Sequence, residues 1–285
     1  MMTDLIPATD ADLPAVEAFL AGHAETSMFL RANLQNPGLG NHAPHAMALA
    51  LTRQAGAITG VFGITQAGYV LCQAPDATAE DWAAFARWLQ GRPLAGATGE
   101  AAQIAQLTTA LGLTSGDLAL EDVQPLYRLA LEDLRMDGLA PGSLRLAEPD
   151  DHALLTRWFR TYEAEALATR PDLAEKRAVE RADAAISGDR LRVLIQDGEP
   201  VAMTAFNARL ADMVQVGGVY TPPDGRGKHR ARTAVALHLA EAREEGVSTA
   251  ILFASGPAAC RAYEALGFQR IGAYALAILK EPRHG

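Results

Sequence analysis

The chain has 285 residues, of which 49% are hydrophobic and 21% are charged, as in an ordinary globular protein with a sizeable core. A net charge of -9 and a pI near 5.3 argue against a broad nucleic-acid surface, although they leave room for a local anion site. At roughly 150 residues per domain, this length predicts two domains.

The cysteine pattern and the terminal sequence favour a cytoplasmic protein. Cys72 and Cys260 lie far apart and show no metal-ligand spacing, so we expect two reduced packing residues and no metal site. The first residues carry acids and no basic region, which predicts that no signal peptide is present. No apolar run approaches the ~20 residues that span a bilayer, so no membrane partner is expected.

Two stretches follow the same plan. Residues 4–20 and 143–159 each predict a short strand, a polar turn with aspartates and an amphipathic helix. Asp12 and Asp151 take matching places near the helix start, where an acid suits the helix dipole.

The likeness between the halves continues along the chain. Residues 45–76 and 190–224 each predict three strands joined by turns. These matches predict a tandem duplication with domains 1–138 and 139–285, joined by a Gly- and Pro-rich segment. The alternative is that two unrelated α/β domains share such patterns.

The elements of the second half are the clearest. Residues 213–221 predict a strand, residues 228–246 a helix, and residues 248–255 a strand buried on both faces. His238 falls on the apolar stripe of that helix, which predicts a core histidine. A short helix and a final strand or strand pair follow, giving an α+β (α/β layered) fold with a mixed sheet.

One stretch, VYTPPDGRGKHRAR at residues 219–232, predicts an anion site. Two prolines end the strand, and Gly225 and Gly227 allow the backbone to approach a ligand. The amides of the first helical turn lack internal partners, so they form a cradle at the positive end of the helix dipole. Three cations add charge there: Arg226, Lys228 and Arg230. The expected ligand is a phosphate or pyrophosphate, and the alternative is a solvated, charged helix start.

Two common phosphate motifs fit this stretch poorly. His229 follows Lys228 where a P-loop needs Ser or Thr, and Arg230 occupies the third glycine of a dinucleotide fingerprint. Instead, RGKHRA resembles the Arg/Gln-x-x-Gly-x-Gly/Ala loop of the GNAT acyltransferase superfamily, with His229 at the first glycine. The segment AYEALGF further on is also typical. The resemblance covers about residues 144–280 and implies tandem GNAT-like domains, each a splayed mixed sheet flanked by helices.

The resemblance implies an acetyl-CoA-dependent N-acyltransferase. In that family the cofactor lies between two splayed strands, so its pantetheine arm would pair with Val219, Tyr220 and Thr221. Its pyrophosphate would bind the loop residues, namely Arg226, Gly227, Lys228, His229, Arg230 and Ala231. Tyr263 corresponds to the usual general acid, and the amide of Val219 would polarise the carbonyl.

Other positions of the expected site depart from the family pattern or stay open. Gly256 stands where relatives often have Asn, and Gln215 stands on the strand where many carry Glu. Candidates for the general base are Asp212, Glu163, Glu165 and a chain of water molecules.

The first half lacks this motif. Residues 73–82 contain no glycine and no cation, and Asp76, Glu80 and Asp81 would repel phosphates. Thr108 occupies the place of Tyr263. We therefore expect a degenerate domain that binds no CoA and has a structural role.

Three functions remain open from the sequence. The first is acetyl transfer to a small-molecule or peptide amine by a monomer or homodimer without a nucleic-acid partner. The second is a non-catalytic CoA-binding or regulatory module. The third is a nucleotide-binding protein that uses the loop for ATP.

Overall fold

The computed structural model describes residues 5–167 and 169–284 and contains one order of elements twice. Residue 4, which begins the first predicted repeat, lies outside the described residues. The first repeat comprises β1 (Ile6–Pro7), α1 (Leu13–Ala21), α2 (Ala24–Gln35), β2 (Met47–Gln54), β3 (Ala57–Thr65), β4 (Tyr69–Gln73), α3 (Ala79–Trp88), β5 (Pro93–Glu100), α4 (Ala101–Ala110) and β6 (Leu118–Ala130).

The second repeat has the same order of strands and helices. It comprises β7 (Ser143–Leu146), α5 (His152–Ala166), α6 (Pro171–Ser187), β8 (Leu191–Gln196), β9 (Glu199–Arg209), β10 (Met213–Tyr220), α7 (Arg230–Glu244), β11 (Thr249–Phe253), α8 (Pro257–Glu264) and β12 (Gln269–His284). The identical order confirms the predicted tandem α+β fold with mixed sheets.

The chain divides into two compact units whose bounds differ from the domains expected at 1–138 and 139–285. The first unit contains Met1–Gln124 and Ala273–Gly285, and the second contains Pro125–Gly272. The difference arises because each repeat supplies its last strand to the other unit. Residues 126–130 of β6 pair with β11 in the second unit, and residues 274–284 of β12 pair with β5 in the first.

The sheet of the first unit is antiparallel except for the parallel pair β4 and β5. Alternating strand residues point to opposite faces, so the unit has a core on each side. One face packs Leu49 of β2 against α1 and α2, while the other packs Phe62 of β3 against α3 and α4.

The second unit repeats this arrangement. Its sheet is antiparallel except for the parallel pair β10 and β11. Met203 of β9 packs against α5 and α6 on one face, whereas Val216 of β10 packs against α7 and α8 on the other. Helices therefore cover both faces beside the central parallel pair, where the predicted site lies.

Three residues predicted to pack in the interior do so. Cys72 is buried and Cys260 is half-buried against the core, and both thiols are free. His238 is buried and stacks on Phe206 with 3.7 Å between the ring centroids. Among the described residues, no helix combines the length and the apolar composition needed to cross a bilayer.

Candidate functional site

The two parallel strands of the second unit, β10 and β11, separate before β10 ends. Their pairing runs from Met213 to Val216, which lies opposite Leu252, and no later pair joins β10 to β11 among the described residues. The far side of β10 stays paired with β9 as far as Tyr220. The strands thus leave one edge of residues 217–220 open toward the gap, as the predicted splay requires.

Two glycines shape β10 at this gap. A Cβ at Gly217 would lie 1.9 Å from the side-chain amide nitrogen of Asn207 on β9, so Asn207 occupies the space that glycine leaves free. Gly218 has a φ of 57°, and the register against β9 shifts between Gly217 and Tyr220. Such a bulge bends a strand and changes the direction of its backbone groups. The bend therefore occurs beside Val219, the residue whose amide is predicted to polarise a carbonyl.

The loop after β10 leads into α7 without a side-chain cap. Gly227 has a φ of 77°, and His229, the residue before α7, has a left-handed backbone with a φ of 60°. The His229 side chain makes no capping hydrogen bond. The amides of residues 229–232 have no acceptor within the described part of the chain. Four open donors at the positive end of a helix dipole fit an anionic ligand such as pyrophosphate.

The cations of the loop differ in their partners. Arg226 donates to the carbonyl of Thr221 at 3.1 Å and forms an ion pair with Glu165 at 2.7 Å. Nε of Arg230 donates to Gln196 at 2.8 Å. Lys228 is exposed and has no polar partner in the described ranges. The sequence predicted that all three side chains flank a phosphate, but two of them already bind groups of the protein.

The strand residues predicted to pair with a cofactor arm lie at the gap, with their side chains largely inside. Val219 is half-buried, and the buried ring of Tyr220 packs against Trp158 at 6.0 Å between centroids. Thr221 is buried, and its hydroxyl has no partner among the described residues. Ala231 is half-buried in the first turn of α7. Backbone groups rather than these side chains are therefore available to a ligand.

Tyr263, the predicted general acid, lies on α8 and is only 8% exposed. Burial raises the pKa of its phenol above the ordinary value of 10, and Tyr162 and Cys260 add to the rise. The hydroxyl makes no hydrogen bond to the described residues, so it is a protonated donor without a partner. The raised pKa keeps the proton on this phenol at neutral pH, as an acid for a leaving thiolate requires, and makes the phenol a weaker acid than a free tyrosine.

Tyr162 on α5 lies near Tyr263 and Gly218, and the sequence did not indicate that it belongs to the site. Burial raises the pKa of its phenol, while the nearby amide of Gly218 opposes that rise. Tyr162 therefore brings α5 next to the bulge of β10 and next to Tyr263. Glu163 and Glu165 follow Tyr162 on the same helix, and no local sequence pattern indicates that the Tyr162 phenol lies at the site.

The structure separates the candidate bases. Glu163 is only 1% exposed, and it accepts hydrogen bonds from Arg181 at 2.8 Å and Thr169 at 2.6 Å. This carboxylate is held between α5 and α6 and is unsuited to proton transfer. Glu165 is paired with Arg226, and Asp212 lies in the turn before β10, where its backbone carbonyl accepts the amide of Thr249.

The corresponding positions of the first unit are filled by the protein's own groups. Thr78 caps α3 by accepting from the amide of Asp81, whose carboxylate accepts from Thr78 in return. Glu100 accepts the first amides of α4, and the Gln103 side chain accepts the amide of Ala74 just after β4. Two of the four donors that stay open at the start of α7 therefore have counterparts with acceptors at the start of α3, namely the amides of Thr78 and Asp81.

Comparison with known proteins finds a family model that resembles part of the second half. Residues 153–268 match the sequence model of the Acetyltransferase (GNAT) family. The match includes β10, the loop and Tyr263. No curated protein matched the chain in a separate comparison.

Solved structures resemble nearly the whole chain. A Drosophila protein has 13% identity and a TM-score of 0.63, covering 97% of this chain and 99% of its own. A GCN5-related N-acetyltransferase from Kribbella flavida has 17% identity and a TM-score of 0.56, with coverages of 92% and 96%. A tandem GNAT protein from the clavulanic acid biosynthesis pathway has 16% identity and a TM-score of 0.53, with coverages of 96% and 97%. At these identities the likeness establishes the fold.

Proposed function

We propose that the second half of this chain, whose residues 153–268 match the GNAT acetyltransferase family, transfers an acetyl group from acetyl-CoA to an amine. The observation that carries the proposal is the start of α7, where four neighbouring amides lack acceptors among the described residues. A loop of residues 221–228 joins these amides to a strand whose edge is open, so one extended ligand with a pyrophosphate could use both.

Each part of the site has a role in this proposal. The amides of residues 229–232 and the side chain of Lys228 bind the pyrophosphate, and the open edge of Val219, Tyr220 and Thr221 binds the pantetheine arm. When bound, acetyl-CoA would supply a thioester that a neutral amine can attack. The amide of Val219 stabilises negative charge on the carbonyl oxygen. Tyr263 holds a proton on its hydroxyl, available to the departing sulfur, and Glu165 or water accepts the proton of the amine, because Asp212 lies at the opposite end of β10 from the gap.

The partners and location follow from the same features. We propose a small-molecule or peptide amine as acceptor, and a monomer or homodimer that works in the cytoplasm without a nucleic-acid partner. Two free cysteines and a net charge of -9 support this setting. The first unit has a structural role, because the side chains of Thr78 and Glu100 cap the starts of α3 and α4, the helices that follow its parallel strands.

Calorimetric titration with acetyl-CoA tests the cofactor. We expect one equivalent to bind per chain, and Arg226→Glu to weaken binding at least tenfold, about 1.4 kcal/mol, because it adds an anion beside the phosphates. Arg160→Glu is the matched control, since Arg160 forms an exposed ion pair with Glu175 on other elements. Absence of binding by the wild type would reject the proposal, and two equivalents would reject a silent first unit.

Turnover separates an enzyme from a binding module. With a panel of amines, we expect Tyr263→Phe to lower kcat by roughly 10²- to 10⁴-fold with little change in acetyl-CoA affinity, because only the proton donor is removed. Binding without turnover of any amine would favour the non-catalytic module. Displacement of acetyl-CoA by ATP from the same site would favour the nucleotide-binding alternative.

A further inference from the structure

One acidic residue already forms an ion pair with a cation of the loop between β10 and α7. Nη2 of Arg226 lies 2.7 Å from the carboxylate of Glu165, in the last turn of α5. Nε of the same guanidinium donates to the Thr221 carbonyl, and the group lies 5.9 Å from the centroid of the Tyr220 ring. Arg226 is therefore held by three groups and is directed toward α5.

Glu165 is distinctive among the partners of this loop. Arg230 binds the neutral side chain of Gln196, and Lys228 has no polar partner among the described residues. Arg232 donates to the neutral carbonyl of Gly138. Within the described ranges, Glu165 is thus the acid that neutralises a cation between β10 and the first turn of α7.

The location of this pair gives it a functional meaning. Arg226 lies three residues before His229, where the run of open amides begins, and Gly227 turns the chain between them. A phosphate bound at these amides would come close to Arg226, and two anions would then compete for one guanidinium. Both side chains of the pair are about half exposed, so their attraction is weak and can be exchanged.

We infer that Glu165 acts as an internal competitor for the cofactor, pairing with Arg226 until the pyrophosphate displaces it. This inference rests on the proposed function, because it requires acetyl-CoA to bind at this loop. It adds a regulatory role for a residue outside the loop. The ion pair lowers cofactor affinity, and its opening releases a carboxylate from α5.

The released carboxylate would lie on the acceptor side of the site. Glu165 follows Tyr162 by three residues on α5, and positions three apart share one face of a helix. Tyr162 in turn lies near Gly218 and Tyr263. Cofactor binding would thereby leave an unpaired negative charge beside the place where an amine must arrive.

The first experiment is a titration of coenzyme A into the wild type and Glu165→Gln at low ionic strength. We expect the variant to bind about two- to fivefold more tightly, the range for loss of an exposed ion pair, and the difference to fade in high salt. Glu175→Gln is the matched control, because it breaks the similarly exposed pair with Arg160 and should leave affinity unchanged. Thermal unfolding of each variant without ligand checks that folding is preserved.

A double-mutant cycle tests whether Glu165 acts through Arg226. In Arg226→Gln, the further change Glu165→Gln should give no gain, because the competed cation is absent. A gain that persists there would mean general repulsion and would overturn the inference. So would unchanged or weaker binding by the single variant. If neither the wild type nor Glu165→Gln binds, the proposed function fails, whereas wild-type binding that is unchanged in Glu165→Gln rejects the internal competitor alone.

Discussion

At the scale of single residues, His238 shows how burial fixes a protonation state. It lies 2% exposed on α7 and stacks on Phe206. Burial, with contributions from Arg192 and Arg209, lowers its pKa to about 3 from an ordinary value of 6.5. The ring of the folded protein is therefore neutral at neutral pH, which suits its packing and argues against a role as a general acid.

This depressed pKa predicts a specific dependence of stability on pH. Below pH 6.5 the unfolded chain binds a proton at His238 and the folded chain does not, so folding stability falls as the pH decreases. Between pH 7.5 and 5.5 we expect the wild type to lose about 1.4 kcal/mol more stability than His238→Phe. Urea denaturation at both pH values measures this, and equal losses would contradict the neutral, buried assignment.

At the scale of elements, the starts of α3 and α7 differ although the helices correspond. Thr78 and Asp81 form a capping box, in which each side chain accepts a hydrogen bond from the backbone amide of the other residue at the start of α3. By contrast, α7 begins after His229, whose backbone is left-handed and whose side chain makes no capping hydrogen bond. Histidine tolerates this conformation better than most residues, but it still costs energy that glycine avoids. The family pattern has glycine at this position, and the backbone angle supplies a physical reason for it.

Replacing His229 by glycine tests that reason. Relief of the left-handed strain, offset by the flexibility of glycine in the unfolded chain, should raise the unfolding free energy by about 0.5–1 kcal/mol. Acetyl-CoA affinity should not fall, because the amide is retained. Ala55→Gly, at a residue with a φ of 49° in the first unit, is the control that should stabilise without affecting binding. Weaker cofactor binding by His229→Gly alone would show that the imidazole contacts the ligand.

Much of this site could be predicted because its signals are local. Prolines, glycines and helix periodicity around residues 219–232 predicted a strand, a turn and a helix start, and these elements form. The partners of Arg226 and the position of Tyr162 were not predicted, because both depend on contacts with α5, about 60 residues away along the chain. Side-chain pairing across such separations leaves no periodic pattern.

At the scale of the whole molecule, a single boundary near residue 138 does not describe the exchange of strands between the two compact units. The segment at 136–143 has the composition of a linker, and composition is a local property. Pairing of β12 with β5 joins Tyr274 to Glu100, a relation that only the folded sheet specifies. The repeat could be predicted because its two copies have similar sequence patterns, but the exchange of the last strands could not be predicted from those patterns.

The exchange predicts the effect of a short truncation. A chain ending at Gly272 lacks Ala275, Ala277 and Leu279, which belong to a core of the first unit, so residues 1–124 should become sensitive to proteolysis. A chain ending at Lys280 keeps these residues and should stay resistant. Addition of a peptide containing residues 273–285 should restore resistance, and a first unit that remains resistant without them would contradict the exchange.

The exchanged strands also determine the order in which the protein can be completed on the ribosome. Synthesis runs at about 5–20 residues per second, so the 174 residues from Glu100 to Tyr274 require roughly 10 to 35 seconds. During that interval β5 has an unpaired edge, which is open to association with other nascent chains. The half of the protein that is made first is therefore finished last, and a prematurely released chain leaves that half incomplete.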